Sequence, residues 1–355
     1  MHRRIVVTGG AGFVGSNLVD SLLRDGREVV VFDSLVRPGS ERNLAWLHAR
    51  HPRVEFVPGD VRDARTVDEI VRRADIIYHF AAQVAVTTSI ADPVTDFEVN
   101  ALGTLNVLEA ARRSGRPTLV LTSTNKVYGG IEDIGLVERP SRYEFQEYPL
   151  GIPESQPLDF HSPYGCSKGA ADQYARDYSR TYDLPTVVFR MSCVYGPRQF
   201  GNEDQGWLAH FIIGAVMGRP LTIYGDGKQV RDVLFIDDLV RALRLAADRI
   251  EVTAGKVYNI GGGPDNTLAV WSEFGPMLAE LSGGPLAPAF GHWRPGDQRC
   301  YVSDIRKARR DFDWFPQIDK RTGVRRLWDW VSANTDLFEP AAPLSTEGRV
   351  AGAVQ

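Results

Sequence analysis

The sequence predicts an α/β protein with a doubly wound parallel sheet and a smaller C-terminal α/β lobe for the substrate. Three observations support this fold class. Short apolar runs alternate with helical patterns through the first half of the chain. A glycine-rich turn follows the first run, and beyond residue 190 the runs become shorter and richer in Pro and Gly. Strands separated by helical crossovers pair in parallel with right-handed connections.

Apolar periodicity places the elements of the first half. The predicted strands cover residues 4–7, 28–33, 54–57, 75–80, 118–122 and 185–190, and the predicted helices include 13–24 and 94–114. Segment 129–160, with four prolines, is predicted to be a functional lid or binding loop.

We therefore divide the chain into a first domain, residues 1–190, and a second lobe, residues 191–335, with the chain crossing between them. Residues 336–355 are rich in Ala, Pro, Gly and Ser and are predicted to be a disordered tail.

Composition excludes several classes of function. The chain has 355 residues and a net charge of −4, which argues against nucleic-acid binding. Its three cysteines lack metal-ligand spacing, so no metal site is expected. No apolar run reaches the length of a membrane span, and the first residues leave no room for a signal peptide. These features predict a cytoplasmic protein that does not bind membranes.

The turn Thr8–Gly15, TGGAGFVG, is the strongest functional signal. Gly9 allows a tight turn, Gly12 leaves room for a pyrophosphate, and Gly15 lets the following helix pack close to its strand. The first helical turn, at Phe13 and Val14, offers free N–H groups to phosphate. The turn therefore predicts a Rossmann-type dinucleotide site.

The end of the second predicted strand indicates which dinucleotide binds. Asp33, followed by Ser34, lies about twenty residues beyond the turn, where a carboxylate binds the adenosine ribose hydroxyls of NAD. That carboxylate would repel the 2′-phosphate of NADP, although Arg37 and Arg42 nearby leave NADP open. The predicted cofactor is NAD.

Three side chains form a candidate catalytic set. Tyr164 and Lys168 are four residues apart on a predicted helix and so share one face. The ammonium of Lys168 is expected to lower the pKa of the Tyr164 phenol towards neutrality, so that it can exchange a proton with a substrate hydroxyl. Thr124, at the end of the fifth strand, would orient or relay that proton. A non-catalytic NAD(P)-sensing relative would lose Tyr164 or Lys168, and both are present.

These motifs resemble the extended short-chain dehydrogenases/reductases, the family of NAD-dependent nucleotide-sugar epimerases and dehydratases. The resemblance covers about residues 4–333 and implies a nucleotide-diphosphate sugar as substrate and a homodimer or homotetramer. It implies further cofactor contacts at Asp60, Val61, Phe80, Ala81, Ala82, Asn100 and Val194. It implies substrate contacts at Asn125, Gln199, Arg231 and Arg299.

One departure from the family pattern favours epimerisation. The dehydratases carry an Asp-Glu pair after the hydroxyl residue of the fifth strand, whereas this chain has Asn125 and Lys126. Strings such as TNKVYG at 124–129 and LDFHSPYGCSKGAADQY at 158–174 resemble the CDP-paratose 2-epimerases, also called CDP-tyvelose epimerases. That resemblance implies a CDP-hexose inverted at C2 through a 2-keto sugar. A 4-epimerase or 4-reductase acting on a UDP- or GDP-sugar remains the alternative.

Overall fold

Seven parallel strands form the central sheet of the protein. The computed structural model describes residues 4–294 and 297–338. The strands are β1 (Arg4–Thr8), β2 (Glu28–Asp33), β3 (Glu55–Pro58), β4 (Ile76–His79), β5 (Thr118–Thr124), β6 (Leu136–Glu138), β7 (Tyr143–Phe145), β8 (Thr186–Met191), β9 (Cys193–Tyr195), β10 (Thr222–Tyr224), β11 (Val230–Phe235), β12 (Lys256–Ile260), β13 (Thr267–Ala269), β14 (Ala289–Gly291) and β15 (Cys300–Tyr301). The central sheet has the order β12-β8-β5-β4-β1-β2-β3.

Helices cover both faces of this sheet. They are α1 (Phe13–Arg24), α2 (Ser40–Arg50), α3 (Ala64–Val71), α4 (Val86–Ala91), α5 (Pro93–Phe97), α6 (Gly103–Arg113), α7 (Ser162–Tyr182), α8 (Trp207–Val216), α9 (Ile236–Asp248), α10 (Ile250–Thr253), α11 (Phe274–Ser282), α12 (Arg306–Phe312) and α13 (Lys320–Ser332). Val7 of β1 packs with α1 and α9 on one face, and Val6 packs with α3 and α6 on the other. Burial on both faces explains why the strands are apolar runs without alternation, and it confirms the doubly wound fold.

The chain crosses between its two predicted parts. Strand β12, within the predicted second lobe, pairs in parallel with β8 and becomes an edge of the central sheet. Strands β9, β11, β13 and β15 form a second sheet, and β10 pairs with β14. The division at residue 190 stays a prediction, since no single cut separates the two sheets.

The segment 129–160 packs against the second sheet. It contains the β6–β7 hairpin, and Tyr143 of β7 is buried with Val230 of β11 and Cys300 of β15. Ile152 is also fully buried, next to Tyr301. The segment therefore shares a core with the second sheet, and its role as a lid stays a prediction.

Two predicted boundaries need correction. The predicted helix 94–114 is divided by a π-helical stretch, Glu98–Leu102, between α5 and α6. The predicted tail, residues 336–355, begins with order, because Thr335–Phe338 form a 3₁₀ helix and Phe338 packs on the rings of Phe200 and Trp330. Residues 339–355 lie outside the described residues.

Candidate active site

The glycine turn joins β1 to α1 at the carboxyl edge of the central sheet. Gly9 has a φ of 66°, and a side chain there would meet the Ala81 nitrogen at 2.7 Å. A Cβ on Gly15 would lie 2.2 Å from the Gly9 carbonyl oxygen, so helix and turn touch. Around Gly12 the Gly9 oxygen, at 3.1 Å, is the nearest obstacle to a Cβ. Because no side chain caps the first turn of α1, its N–H groups can receive a phosphate.

Asp33 is held beside this turn by the backbone. Its Oδ2 accepts a hydrogen bond from Ala11 N at 3.0 Å, and its Oδ1 accepts one from Leu35 N at 2.8 Å. Burial raises the pKa of this carboxyl, and the two amides and the guanidinium of Arg37 oppose that rise. The open turn, the uncapped helix and the adjacent carboxylate fit the pyrophosphate and ribose of NAD. Ser34, next to Asp33, is exposed.

The three predicted catalytic side chains come together at the ends of β5 and α7. Thr124 and Tyr164 are both buried, and the Thr124 side chain acts on the phenol of Tyr164. Lys168 is 5% exposed, and its Nζ donates to the carbonyl oxygen of Thr122 at 2.7 Å. The structure therefore assembles the set, and the catalytic role of each member stays a prediction.

The pKa of Tyr164 is raised, whereas the sequence predicted that it would be lowered. Burial raises the pKa of Tyr164 to about 12, while the bond from Thr124 and the charge of Arg37 oppose the rise. Lys168 does not lower it, because burial lowers the pKa of this ammonium to about 8, and the ammonium has therefore lost its charge at the pH where such a phenol ionises. At neutral pH Tyr164 is therefore a neutral phenol.

The ammonium of Lys126 and the side-chain amides of Asn125 and Gln298 form a group next to Thr124. Lys126 Nζ and Asn125 Nδ2 each lie 3.3 Å from Oε1 of Gln298, whose Nε2 donates to the Gly129 carbonyl at 2.6 Å. Burial, together with the charge of Arg231, lowers the pKa of Lys126 to about 8. Arg231 is buried and pairs with Asp297 at 3.3 Å. This group, at the junction of the two sheets, presents positive charge and amide groups.

The remaining predicted substrate residues differ in placement. Gln199 is 2% exposed, and its Oε1 has no hydrogen-bond partner among the described residues. Its Nε2 donates to the carbonyl of Val194, a half-buried residue of β9. Arg299 is exposed, and its guanidinium lies 5.5 Å from the ring centroids of both Tyr143 and Trp293. The structure thus brings Arg231, but not Arg299, into contact with the group around Lys126.

The remaining predicted cofactor residues lie on the loops after β3 and β4 and in the π-helical stretch. Asp60 is held by Arg62 at 2.8 Å, Val61 is buried, and Phe80, Ala81 and Ala82 are half-buried after β4. Asn100 is buried, and its side chain bonds to Gln83, Asp96 and Ser167. Asn100 therefore fixes the loop after β4 to α7, and its contact with a cofactor stays a prediction.

Sequence reasoning missed three residues of this region. Lys126 stands out only as a departure from the dehydratase pattern, although its position two residues after Thr124 could have indicated a role in the site. Gln298 is 173 residues from Asn125, so no local pattern reveals their contact. Arg37 enters the sequence argument only through NADP, yet its Nη2 donates to Gln205 Oε1 at 3.1 Å.

The described part of the chain holds neither a metal-binding cluster nor a membrane-spanning helix. No group of three or more His, Cys, Asp or Glu side chains among residues 4–294 and 297–338 has an arrangement that could hold a metal ion. Within the same ranges, no helix combines the length and apolar character needed to cross a membrane.

Comparisons with known proteins agree with this geometry. The NAD dependent epimerase/dehydratase family matches residues 5–261. The CDP-paratose 2-epimerase of Salmonella typhi is 43% identical over 338 residues, covering 93% of this chain and 99% of that protein. The UDP-glucose 4-epimerase of Thermotoga maritima, solved with UDP-glucose, has a TM-score of 0.81 at 30% identity, covering 94% of this chain and 99% of the other. A dTDP-glucose 4,6-dehydratase of Streptomyces venezuelae, solved with NAD, has a TM-score of 0.81 at 34% identity, with coverage of 94% and 98%.

Proposed function

The chain belongs to the NAD dependent epimerase/dehydratase family, and on that premise we propose that it inverts C2 of a CDP-hexose. It is an NAD-dependent nucleotide-sugar epimerase, as its relatives indicate. The finer assignment, to a cytidine nucleotide and to C2, rests on the 43% identity to a CDP-paratose 2-epimerase over nearly the whole of both chains.

The two residues after Thr124 support epimerisation rather than dehydration. Asn125 and Lys126 both turn towards Gln298 and offer an amide and an ammonium. Elimination of water from the sugar needs carboxylates at these positions, one to remove a carbon-bound proton and one to protonate the leaving hydroxyl. An epimerase that removes and returns a hydride at one carbon needs neither, which agrees with this site.

Tyr164 is the residue that exchanges the proton of the C2 hydroxyl. NAD, when bound, supplies the hydride chemistry at that carbon. As a neutral phenol with a pKa of about 12, Tyr164 must first lose its own proton to act as a base. The Thr124 side chain and the charge of Arg37 both lower the pKa of the phenol and so favour the phenolate form, which accepts the C2 hydroxyl proton. After oxidation the same phenol returns the proton to the sugar oxygen.

Lys168, Arg231 and Gln199 position the reactants. Lys168 is a buried ammonium on the same helix face as Tyr164, so it can orient the nicotinamide ribose by hydrogen bonds. The guanidinium of Arg231, beside Lys126, is suited to the substrate diphosphate. The side-chain oxygen of Gln199 is buried, has no partner within residues 4–294 and 297–338, and can accept a hydrogen bond from a ligand.

A homodimer or homotetramer is the assembly we infer. Large apolar side chains are exposed on the helices between residues 86 and 102 and on α7, which packs against α4 and α5. They are Ile90, Val94, Phe97, Leu102 and Tyr174. Burying such a surface against a second copy would be favourable. A monomer in light scattering would overturn this inference. The cytoplasmic location stays a prediction from the sequence.

A substrate panel tests the proposed function. Purified protein, with no cofactor added, is incubated with CDP-, UDP- and GDP-hexoses, and the products are identified by NMR. We expect a C2 epimer from a CDP-hexose, and we expect denatured protein to release NAD. Tyr164→Phe should retain the NAD but lose turnover by at least about 100-fold. Inversion at C4 of a UDP- or GDP-sugar would support the alternative, and a stoichiometric need for added NADPH would indicate a reductase.

A further inference from the structure

Arg37 is a cation at the edge of the cofactor turn. It lies in the loop between β2, which ends at Asp33, and α2. None of the ion pairs among the described residues involves it, whereas Arg24, at the end of α1, pairs with Asp20 at 3.2 Å. Its guanidinium carries five N–H donors, and Gln205 accepts from Nη2 at 3.1 Å. Burial lowers the pKa of Arg37, so the charge lies in a site where it is poorly solvated.

The surroundings of Arg37 locate it between the two ends of the cofactor site. Its charge interacts with the carboxylate of Asp33 and with the phenol of Tyr164. Asp33 marks the adenosine ribose end of a dinucleotide site, and Tyr164 marks the reacting end. The loop that carries Arg37 is fixed to Asp33 by the bond from Leu35 N at 2.8 Å, so a guanidinium whose charge acts on both side chains can reach the pyrophosphate that joins the two ends of the cofactor.

The partner of Arg37 belongs to a segment that binds the dinucleotide-binding half at several points. We call residues 197–205 the strap. Asn17 of α1 donates to the carbonyl of Pro197 at 3.1 Å, and Asn43 of α2 donates to the carbonyl of Arg198 at 3.2 Å. Gly39 has a φ of 88°, and a Cβ there would lie 2.1 Å from the ring of Phe200. The strap therefore packs against α1, α2 and the loop of Arg37.

We propose that Arg37 is a cofactor-binding residue that, with the first turn of α1, holds the pyrophosphate of NAD, and that its bond to Gln205 makes the strap part of the device that retains NAD. This inference rests on the proposed function for the identity of the cofactor. An epimerase that returns the hydride to the same sugar needs NAD to remain bound through many turnovers. A cation that links the pyrophosphate to a segment outside the dinucleotide-binding half slows its release.

The test measures cofactor binding rather than turnover. Apo protein is prepared for the wild type, Arg37→Ala, Arg37→Lys and Gln205→Leu, and binding of NAD⁺, ADP-ribose and adenosine is measured by calorimetry. Arg42→Ala is the matched control, since Arg42 lies over the Phe200 ring of the same strap at 5.9 Å. Thermal unfolding of each variant establishes that it is folded.

We expect Arg37→Ala to weaken NAD⁺ and ADP-ribose binding by about 10- to 100-fold, the effect of a lost charged hydrogen bond. Adenosine, which lacks the pyrophosphate, should bind as it does to the wild type. Arg37→Lys should bind NAD⁺ about tenfold more weakly than the wild type, because it keeps the positive charge without the planar guanidinium. Gln205→Leu should speed NAD release, and Arg42→Ala should change binding by less than about twofold.

Two outcomes would overturn the inference. Equal NAD⁺ binding by Arg37→Ala and the wild type, with weaker substrate binding, would place Arg37 on the sugar. Equal affinity of the wild type for NADP and NAD⁺, lost in Arg37→Ala, would assign it to a 2′-phosphate. A wild type that binds neither NAD⁺ nor ADP-ribose would instead contradict the proposed function itself.

Discussion

Lys168→Met should stabilise the apo protein, although we expect the same change to impair catalysis. Lys168 is an ammonium inside the protein, 5% exposed, and burial lowers its pKa from the ordinary 10.5 to about 8. At ~1.4 kcal/mol for each pKa unit, holding this charge costs the folded protein about 3 kcal/mol at pH 7. Methionine fills a similar volume without the charge but loses the hydrogen bond to Thr122, worth about 1 kcal/mol. The expected gain is about 2 kcal/mol, or roughly 4 °C in Tm.

The pH dependence identifies the cause of this gain. Between pH 8 and 10.5 the unfolded chain still binds a proton at Lys168 while the folded chain has released it, so wild-type stability rises with pH in that window. The advantage of Lys168→Met should therefore be complete below pH 8 and vanish by about pH 10.5. Urea unfolding of apo proteins measures both quantities. The control is Lys228→Met, which removes a solvated ammonium paired with Glu138 and should change stability little at any pH. A variant no more stable than the wild type at pH 7, or a gain that persists at pH 10.5, would refute the reasoning.

Two further substitutions test packing and substrate binding. Asp172→Asn leaves the fully buried guanidinium of Arg190 without its carboxylate at 2.8 Å. It should lower the free energy of unfolding in urea by about 3–5 kcal/mol. The control, Asp68→Asn, breaks an exposed pair with Arg113 and should change that free energy little. Arg231→Ala should weaken binding of the nucleotide sugar by about 10- to 100-fold in calorimetry and leave NAD retention unchanged. Arg299→Ala should have a smaller effect, and the reverse order would mean that the diphosphate binds at the exposed side of the Tyr143 ring.

Local patterns were sufficient for the unit formed by β1, the glycine turn, α1 and β2. Helix α1 has the predicted bounds, Phe13–Arg24, because its apolar stripe and the preceding glycine turn are both encoded within twenty residues. Asp33 ends β2 beside the turn as predicted, because parallel strands place their carboxyl ends at one edge of the sheet.

The remaining features depend on contacts that no local pattern contains. The contact of Lys126 with Gln298 joins residues 172 positions apart. The pKa of Tyr164 was predicted with the wrong sign because spacing places Lys168 on the same helix face but does not reveal how completely the phenol and the ammonium are buried. Likewise, the order at Thr335–Phe338 comes from the packing of Phe338 on Phe200, a residue far away in the chain.

The central claim is that one carbon, C2, loses and regains the same hydride. The direct measurement uses a CDP-hexose deuterated at C2, with the product analysed by NMR and mass spectrometry after partial conversion in ordinary water. The account predicts a C2 epimer that keeps its deuterium at C2, and an unlabelled substrate in D₂O should acquire no carbon-bound deuterium. Loss of the label to solvent would indicate deprotonation at carbon, and inversion at C4 would contradict the assignment of the reacting carbon.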